Sequence, residues 1–156
     1  MEERLNTIYG KIANKLNDII PEQWDKIYMY GEVSEDVRET FFYYFTPSKD
    51  EPVYSHYIPN VFNINEMEYY KSLEQLLDLL KELWLEFKNN DQEAWTNLTF
   101  VLESTGKFKV DYDYTDLSEA DPNEWQILWE YKYLGAMPED DDDKLIVEEY
   151  LKTLQS

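Results

Sequence analysis

Two groups of short segments, rich in aromatic and β-branched residues, constrain the fold of this chain more than any other feature. Three segments lie between residues 27 and 58, and two lie between residues 95 and 114. Parallel neighbours in a sheet need a crossover of about a dozen residues or more, whereas antiparallel neighbours need only a turn. Residues 47–50 and the Ser104-Thr105-Gly106 tripeptide are turn-forming sequences of that short length. We therefore predict an antiparallel sheet of about five strands.

The first group of strands carries two further predictions. Every position from 41 to 45 is aromatic, so the strand over residues 40–46 has apolar side chains on both faces. Such a strand is typically covered on both sides, which predicts a central place in the sheet. Gly31 interrupts the preceding strand, and a glycine inside a strand is typical of a bulge. The third strand is expected over residues 53–58.

Apolar residues at spacings of three and four predict an amphipathic helix over residues 2–19, which Pro21 ends. A longer helix is predicted to run to about Asn89, with Asn65 and Glu68 forming its N-terminal cap. We expect its apolar stripe to pack in the core, as such stripes usually do. The stripe comprises Met67, Tyr70, Leu73, Leu76, Leu77, Leu80, Leu83, Trp84 and Phe87.

The C-terminal part of the chain is predicted to hold two more helices. One begins after Pro122 and ends at Gly135, and the other covers residues 144–154. The five acids of residues 139–143 favour the positive N-terminal end of that last helix. The element order is therefore α-βββ-α-ββ-α-α, which belongs to the α+β class. At 156 residues, we expect a single domain over residues 1–156.

The charge of the chain points to the kind of partner it binds. Asp and Glu number 34 against 14 Lys and Arg, which gives a formal charge of −20. Residues 111–143 alone hold twelve acids and one base, Lys132. A surface this negative repels nucleic acid and anionic lipid and attracts basic proteins and cations. The charge therefore predicts a basic macromolecular partner, with a solvated face that serves only solubility as the alternative.

Residues that commonly carry catalysis are scarce. The chain has no cysteine, which excludes disulfides and thiol nucleophiles and fits a reducing cytoplasm. Its single histidine, His56, lies in an aromatic segment with no evident partner group for general-base work. No Gly-x-Ser-x-Gly elbow or glycine-rich phosphate loop is present. We therefore predict a protein that is not an enzyme and has no cofactor. The N-terminus shows no signal peptide and the chain no long apolar run, so a cytoplasmic location is expected.

One group of acids leaves an enzymatic alternative open. Asp111 and Asp113 would share a face of a strand, about 7 Å apart, with Asp116 close behind in sequence. Carboxylate oxygens are the ligands that Mg²⁺ and Ca²⁺ prefer, so a metal-dependent hydrolase is one rival interpretation. The segment lacks the glycine and the closing glutamate of a calcium-binding loop. We therefore predict no metal site here.

Four sequence segments, spread over nearly the whole chain and in the same order, resemble the YezG-like immunity proteins. The Trp95 strand, Asp113-Tyr114 and Asp116 extend the resemblance. The four segments are Ile8-Tyr9-x-x-Ile12-Ala13, Ile20-Pro21-x-x-Trp24-x-x-Ile27-Tyr28, Gly106-Lys107-Phe108-x-Val110 and Trp129-x-Tyr131-Lys132-Tyr133-Leu134-Gly135-x-x-Pro138.

The resemblance implies an antitoxin of Gram-positive bacteria. Proteins of this kind are encoded beside polymorphic toxins of the type VII secretion system, several of which end in a nuclease domain. They bind that domain and block it, which protects the producing cell. The resemblance thus implies a nuclease inhibitor that acts by protein–protein interaction, and it lends no catalytic residue. It agrees with the charge, which also favours a basic protein partner and disfavours direct binding to nucleic acid or membrane.

We predict that the contact surface lies within residues 111–143, where carboxylates would take the place of phosphates in a nuclease groove. Trp125 and Trp129 are predicted to anchor the partner. Core packing is the alternative for both, and especially for Trp129. A general acidic adaptor without a toxin partner is the other rival function. The predicted partner-binding residues are Asp111, Asp113, Asp116, Glu119, Asp121, Glu124, Trp125 and Trp129.

Overall fold

The computed structural model describes residues 1–155, which form two compact units, Met1–Thr115 and a second that begins at Asp116. We refer to them as unit 1 and unit 2. Within the described residues, no helix has both the length and the apolar character needed to cross a membrane.

Unit 1 is a five-stranded antiparallel sheet with two long helices, and the predicted α+β class and element order are confirmed. The strands lie in the spatial order β3-β2-β1-β4-β5, so every pair of neighbours is antiparallel. The elements of unit 1 are α1 (Glu2–Ile19), β1 (Lys26–Val33), β2 (Arg38–Phe45), β3 (Val53–Tyr54), α2 (Ile58–Val61), α3 (Glu66–Asn89), β4 (Asn97–Glu103) and β5 (Phe108–Asp113).

The register of β1 corrects two predictions about the sheet. The middle strand is β1, which pairs along its length with both β2 and β4, whereas the aromatic β2 is the next strand toward the edge. The predicted bulge at Gly31 is wrong, because Gly31 pairs in register with Thr40 and with Leu98. A Cβ atom at residue 31 would lie 3.0 Å from the methyl carbons of Leu80. The glycine therefore allows α3 to pack closely on the sheet.

The third strand is shorter than predicted. β3 ends at Tyr54, and the chain then makes a 3₁₀ turn, Ser55–Tyr57, that leads directly into α2. Pro59 lies in the first turn of α2, where its fixed φ suits a helix and its missing N–H costs nothing. The prediction of a strand over residues 55–58 is therefore wrong, since proline was taken as the end of a strand and not as the start of a helix.

The main core lies between the sheet and the helices α1 and α3. The inward faces of α1 and α3 carry Ile8, Ile12, Leu16, Leu76, Leu80 and Leu83, and each of these is fully buried. The predicted cap of α3 is confirmed, because the Asn65 side chain accepts a hydrogen bond from the backbone N–H of Glu68. Two members of the predicted stripe are not core residues: Met67 is 83% exposed and Tyr70 is 54% exposed. Both lie in the first two turns of α3.

Unit 2 contains two helices, α4 (Pro122–Leu134) and α5 (Asp141–Thr153). Gly135 ends α4 with a φ of 69°, the left-handed conformation in which glycine carries no steric penalty. The last helix begins three residues earlier than predicted, because Asp140 caps it by accepting a hydrogen bond from the N–H of Asp143. Three acids thus occupy the first turn of α5, where the helix dipole favours negative charge.

Candidate partner-binding surface

The eight predicted contact residues are divided between the two units. Asp111 and Asp113 lie two positions apart in β5 of unit 1, so their side chains share one face of the strand. The other six belong to unit 2, where Asp121, Glu124 and Trp125 lie around the first turn of α4. Asp116 and Glu119 precede α4 in the chain, and Trp129 follows Trp125 by about one helical turn.

Asp113 is held by hydrogen bonds within unit 1. Its Oδ2 accepts a bond of 2.7 Å from the side-chain amide of Asn97, its cross-strand partner, and its Oδ1 accepts one of 3.1 Å from the Thr115 hydroxyl. Asn97 is buried, and its amide also donates to the Thr96 hydroxyl at 3.1 Å. The Asp113 carboxylate therefore fixes the end of the β4–β5 hairpin, whatever else it binds.

Asp111 forms an exposed ion pair within β5. The Lys109 ammonium lies 3.9 Å from its Oδ2, and the two side chains keep 67% (Lys109) and 45% (Asp111) of their surface exposed. Exposed ion pairs of this kind contribute at most about 1 kcal/mol, because water screens them and two flexible side chains must be ordered. The ion pair between Lys109 and Asp111 is thus weaker than a buried pair would be, and a cationic partner can compete with Lys109.

Two carboxylates of unit 2 are fixed by backbone N–H groups. Asp116 accepts a hydrogen bond of 2.9 Å from the N–H of Ser118. That bond and a second from the Ser118 hydroxyl hold the pKa of the Asp116 carboxyl below its usual value. The Oδ1 of Asp121 accepts from the N–H groups of Asn123 and Glu124, at 2.9 and 3.1 Å, and so caps α4. Both groups are therefore negative charges at defined positions.

The remaining residues of the prediction differ in their exposure. Glu119 and Glu124 are exposed, as the prediction requires of contact residues. Trp125 is partly buried, and its indole N–H has no hydrogen-bond partner within residues 1–155. Trp129 is only 5% exposed and packs against the Tyr133 ring with the ring centroids 5.4 Å apart. Its position is that of the packing alternative, and its role as an anchor stays a prediction.

The structure provides no support for the hydrolase alternative. Across residues 1–155, no three His, Asp or Glu side chains converge closely enough to hold a metal ion. His56 stacks on Tyr54, with centroids 4.7 Å apart, and burial lowers the pKa of its imidazole. Its Nδ1 lies 3.3 Å from the Ser55 hydroxyl, but Ser55 is completely buried and accepts a hydrogen bond from the N–H of Phe42. This serine is part of the core and cannot reach a substrate.

A cleft of about 280 Å³ contains both arginines of the chain and was not predicted from the sequence. Each arginine is paired with acids of α3. Arg4 lies 2.8 Å from Glu82, and Arg38 lies 2.8 Å from Asp78 and 3.1 Å from Glu74. These ion pairs connect α1 and β2 to α3, and we assign the cleft a structural role.

Comparison with known proteins identifies the class to which this chain belongs as immunity proteins. A model of the YezG-like immunity protein family matches residues 5–148. The chain is 43% identical over 149 residues to "Immunity protein YezG" of Bacillus subtilis, which covers 94% of this chain and 99% of that protein. It is 40% identical over 152 residues to the protein of the same name in Bacillus spizizenii, an alignment that covers 96% of this chain and 94% of that protein.

A third relative is named for a secretion system. The chain is 33% identical over 159 residues to "Type VII secretion system protein EsaG" of Staphylococcus aureus, with 99% of this chain and 98% of that protein covered. The chain therefore belongs to the YezG-like immunity protein family. The predicted family is confirmed, and so is the prediction of a protein that is not an enzyme, since the family and its named members are immunity proteins.

Proposed function

We propose that this protein protects the cell that makes it by binding and neutralising the basic nuclease domain of a toxin exported by a type VII secretion system. Membership in the immunity protein family, over nearly the whole chain, is the observation that carries the proposal. The link to type VII secretion comes from the name of the Staphylococcus relative. The nuclease partner is what the family resemblance implies, and the negative charge of the chain supports it.

Charge complementarity favours a nuclease over other toxins. A nuclease must hold phosphates, so the mouth of its active site is lined with cationic side chains. A chain with a formal charge of −20 is attracted to such a groove and approaches it faster than diffusion alone would allow. Asp116 and Asp121 are already held in place by backbone N–H groups, so little side-chain freedom would be lost on binding.

We place this interaction in the cytoplasm of the producing cell, which a self-made nuclease would otherwise damage. A chain without cysteine has no need of an oxidising compartment. The contact surface we propose includes the exposed acids Glu119 and Glu124 together with Asp111, Asp116 and Asp121. Asp113 is included with a double role, because it also fixes the β4–β5 hairpin.

Co-expression with the toxin domain encoded beside the gene tests the proposal. We expect the protein to restore growth, to form a stoichiometric complex, and to abolish the cleavage of DNA or RNA by the purified domain. If the protein rescues cells from a toxin that cleaves neither DNA nor RNA, the nuclease assignment is wrong but the immunity role is retained. Failure to rescue or to bind would refute both.

The proposed acidic surface is tested by charge reversal at two of its exposed glutamates. Glu119→Lys combined with Glu124→Lys should slow association with the toxin domain by about tenfold or more at low salt, because steering depends on net and local charge. The matched control is Glu2→Lys combined with Glu3→Lys, which changes the net charge equally at the exposed start of α1. Equal effects of the two pairs would show that only total charge matters.

A further inference from the structure

A cluster of exposed apolar side chains in unit 1 is unused by the proposed acidic surface. Four large apolar side chains between residues 57 and 70 are each more than half exposed. Within residues 1–155, the only others above that level are Leu145 and Leu154, both at the C-terminal end of the chain. Contiguous exposed apolar surface on a monomer usually marks an interaction site. We call the four the apolar patch: Tyr57 at 60%, Val61 at 64%, Met67 at 83% and Tyr70 at 54%.

The members of the patch form two pairs on elements that follow one another in the chain. Tyr57 and Val61 are four positions apart across the 3₁₀ turn and α2, and Met67 and Tyr70 are three apart on α3, so each pair shares a face. The two pairs are connected through Tyr69. Its hydroxyl donates a hydrogen bond of 2.6 Å to the carbonyl of Ser55, and its ring lies 6.1 Å from that of Tyr70. The start of α3 is thus fastened to the turn that carries Tyr57.

The scaffold beneath the patch is rigid. Ile58 is completely buried, and the Ser55 hydroxyl accepts a hydrogen bond of 3.0 Å from the N–H of Phe42 on β2. The loop between α2 and α3 is closed by a hydrogen bond from the N–H of Ile64 to the carbonyl of Pro59, and the Asn65 cap follows. A partner would therefore meet these side chains on a preformed backbone, which lowers the entropy cost of binding.

The charges near the patch in the sequence favour one kind of occupant, a basic protein. Residues 50–74 hold one base, Lys71, and five acids, which are Asp50, Glu51, Glu66, Glu68 and Glu74. An apolar centre within a charged rim is the usual anatomy of a protein interface. Two copies of this chain that met through the patch would bring like charges together, which is unfavourable. A basic protein would instead pair its Lys and Arg side chains with the rim.

We propose that the apolar patch anchors the basic toxin domain, with Tyr57 and Met67 entering an apolar pocket that is ringed by cationic side chains. This inference rests on the proposed function, and it adds a second contact region, centred on residues 57–70, to the acidic residues of 111–143. Tyrosine and methionine are enriched in the buried centres of interfaces, where a few side chains carry most of the binding energy.

The rates of association and dissociation distinguish the patch from the acidic surface. Tyr57→Ser and Met67→Ser should each weaken the affinity of the full-length protein for the cognate toxin domain by about 30-fold or more, as expected for a hot-spot residue. The loss should lie in faster dissociation, because apolar contacts form after the encounter. Met67→Lys should weaken binding further, since it places a positive charge against a basic partner.

Leu85→Ser and Val37→Ser are the matched controls, because both side chains are about 40% exposed in unit 1 and lie outside the patch. They should change the affinity by less than about threefold. Thermal unfolding of every variant checks that the fold is retained, which we expect because the substituted side chains are exposed.

Three results would overturn the inference. Wild-type affinity in Tyr57→Ser and Met67→Ser would refute the anchor while leaving the proposed function intact. Self-association of the wild-type protein at micromolar concentration, abolished by Met67→Ser, would assign the patch to a second copy of the chain. A wild-type protein that fails to bind the toxin domain would refute the proposed function, and the anchor with it.

Discussion

The hydroxyl pair of Tyr9 and Tyr112 should behave as one energetic unit. Tyr9 on α1 and Tyr112 on β5 hydrogen-bond each other through their hydroxyl groups, and both side chains are partly buried. Tyr9→Phe leaves the Tyr112 hydroxyl without its partner, and Tyr112→Phe does the same to Tyr9. An unpaired buried hydroxyl costs about 1–3 kcal/mol, and partial exposure places each single variant near the lower end, at about 1–1.5 kcal/mol of lost stability.

The double variant should recover much of that loss. Replacing both hydroxyls removes the bond without leaving an unpaired group, so we expect a net cost of less than about 1 kcal/mol. The ring of residue 9 keeps its contacts with Phe108 and Phe100, at 5.6 and 6.3 Å between centroids, because phenylalanine retains the ring. The coupling energy between the two sites is then about 1–3 kcal/mol.

Urea unfolding of the four proteins measures this coupling. The urea concentration at the unfolding midpoint should change while the m-value stays constant. The midpoint of the double variant should lie between that of the wild type and those of the single variants. If the double variant loses the sum of the two single losses, the hydroxyls act independently and the reasoning is wrong.

The same pair gives a prediction for alkaline pH. Burial raises the pKa of both tyrosines, and for Tyr112 the hydrogen bond with Tyr9 raises the pKa further. A raised pKa means that the folded state favours the protonated form of the tyrosine. Its contribution to the free energy of unfolding is therefore complete below the unfolded-state pKa of about 10, and is lost as the pH rises above that value. The double variant should therefore lose less stability than the wild type between pH 10 and about 11.5. Burial also raises the pKa values of Tyr44 and Tyr69, but both proteins contain these two residues. A difference between the proteins therefore reports on Tyr9 and Tyr112 alone, and an identical loss of stability would contradict the prediction.

Three further substitutions test single features of the fold. Gly31→Val should lower the free energy of unfolding by about 1–3 kcal/mol, because the added methyl groups meet Leu80, and thermal unfolding would show it. Asp121→Ala should cost about 1 kcal/mol by removing the cap of α4, whereas Asp121→Asn should cost less, since asparagine also caps helices. Asp113→Ala should lower the free energy of unfolding by about 1–3 kcal/mol, because the Asn97 amide loses an acceptor. It should also lower the affinity for the toxin domain. An unchanged free energy of unfolding would show that this carboxylate serves binding alone.

Local sequence patterns predicted the elements whose causes are local. The spacing of apolar residues predicted α1 over the range observed, and Asn65 with Glu68 predicted the cap of α3. Gly106, at a φ of 95°, supplies the turn between β4 and β5 as its position between two strand segments indicated. Each of these features depends on residues within a few positions of one another, which is the range that periodicity and capping rules cover.

Three of the errors or omissions arose where distant residues decide the structure. Gly31 was interpreted as a bulge, but the reason for a glycine there is Leu80, nearly fifty residues away on α3. Periodicity placed Met67 in the core stripe, but its side chain is 83% exposed, whereas Tyr69 two positions on is buried. The hydrogen bonds of Asp113 depend on its register opposite Asn97, which the sequence alone does not reveal.

An immunity protein has to capture its toxin quickly and then hold it for as long as the cell needs protection, and one kind of surface rarely provides both. Long-range attraction speeds capture but is weakened by salt, with a Debye length of about 8 Å at physiological ionic strength. Apolar contacts act only at close range but depend little on salt. A chain that carries twelve acids in residues 111–143 and a rigid apolar patch at residues 57–70 has the means for both steps. Raising the salt concentration should therefore slow association strongly and change dissociation little.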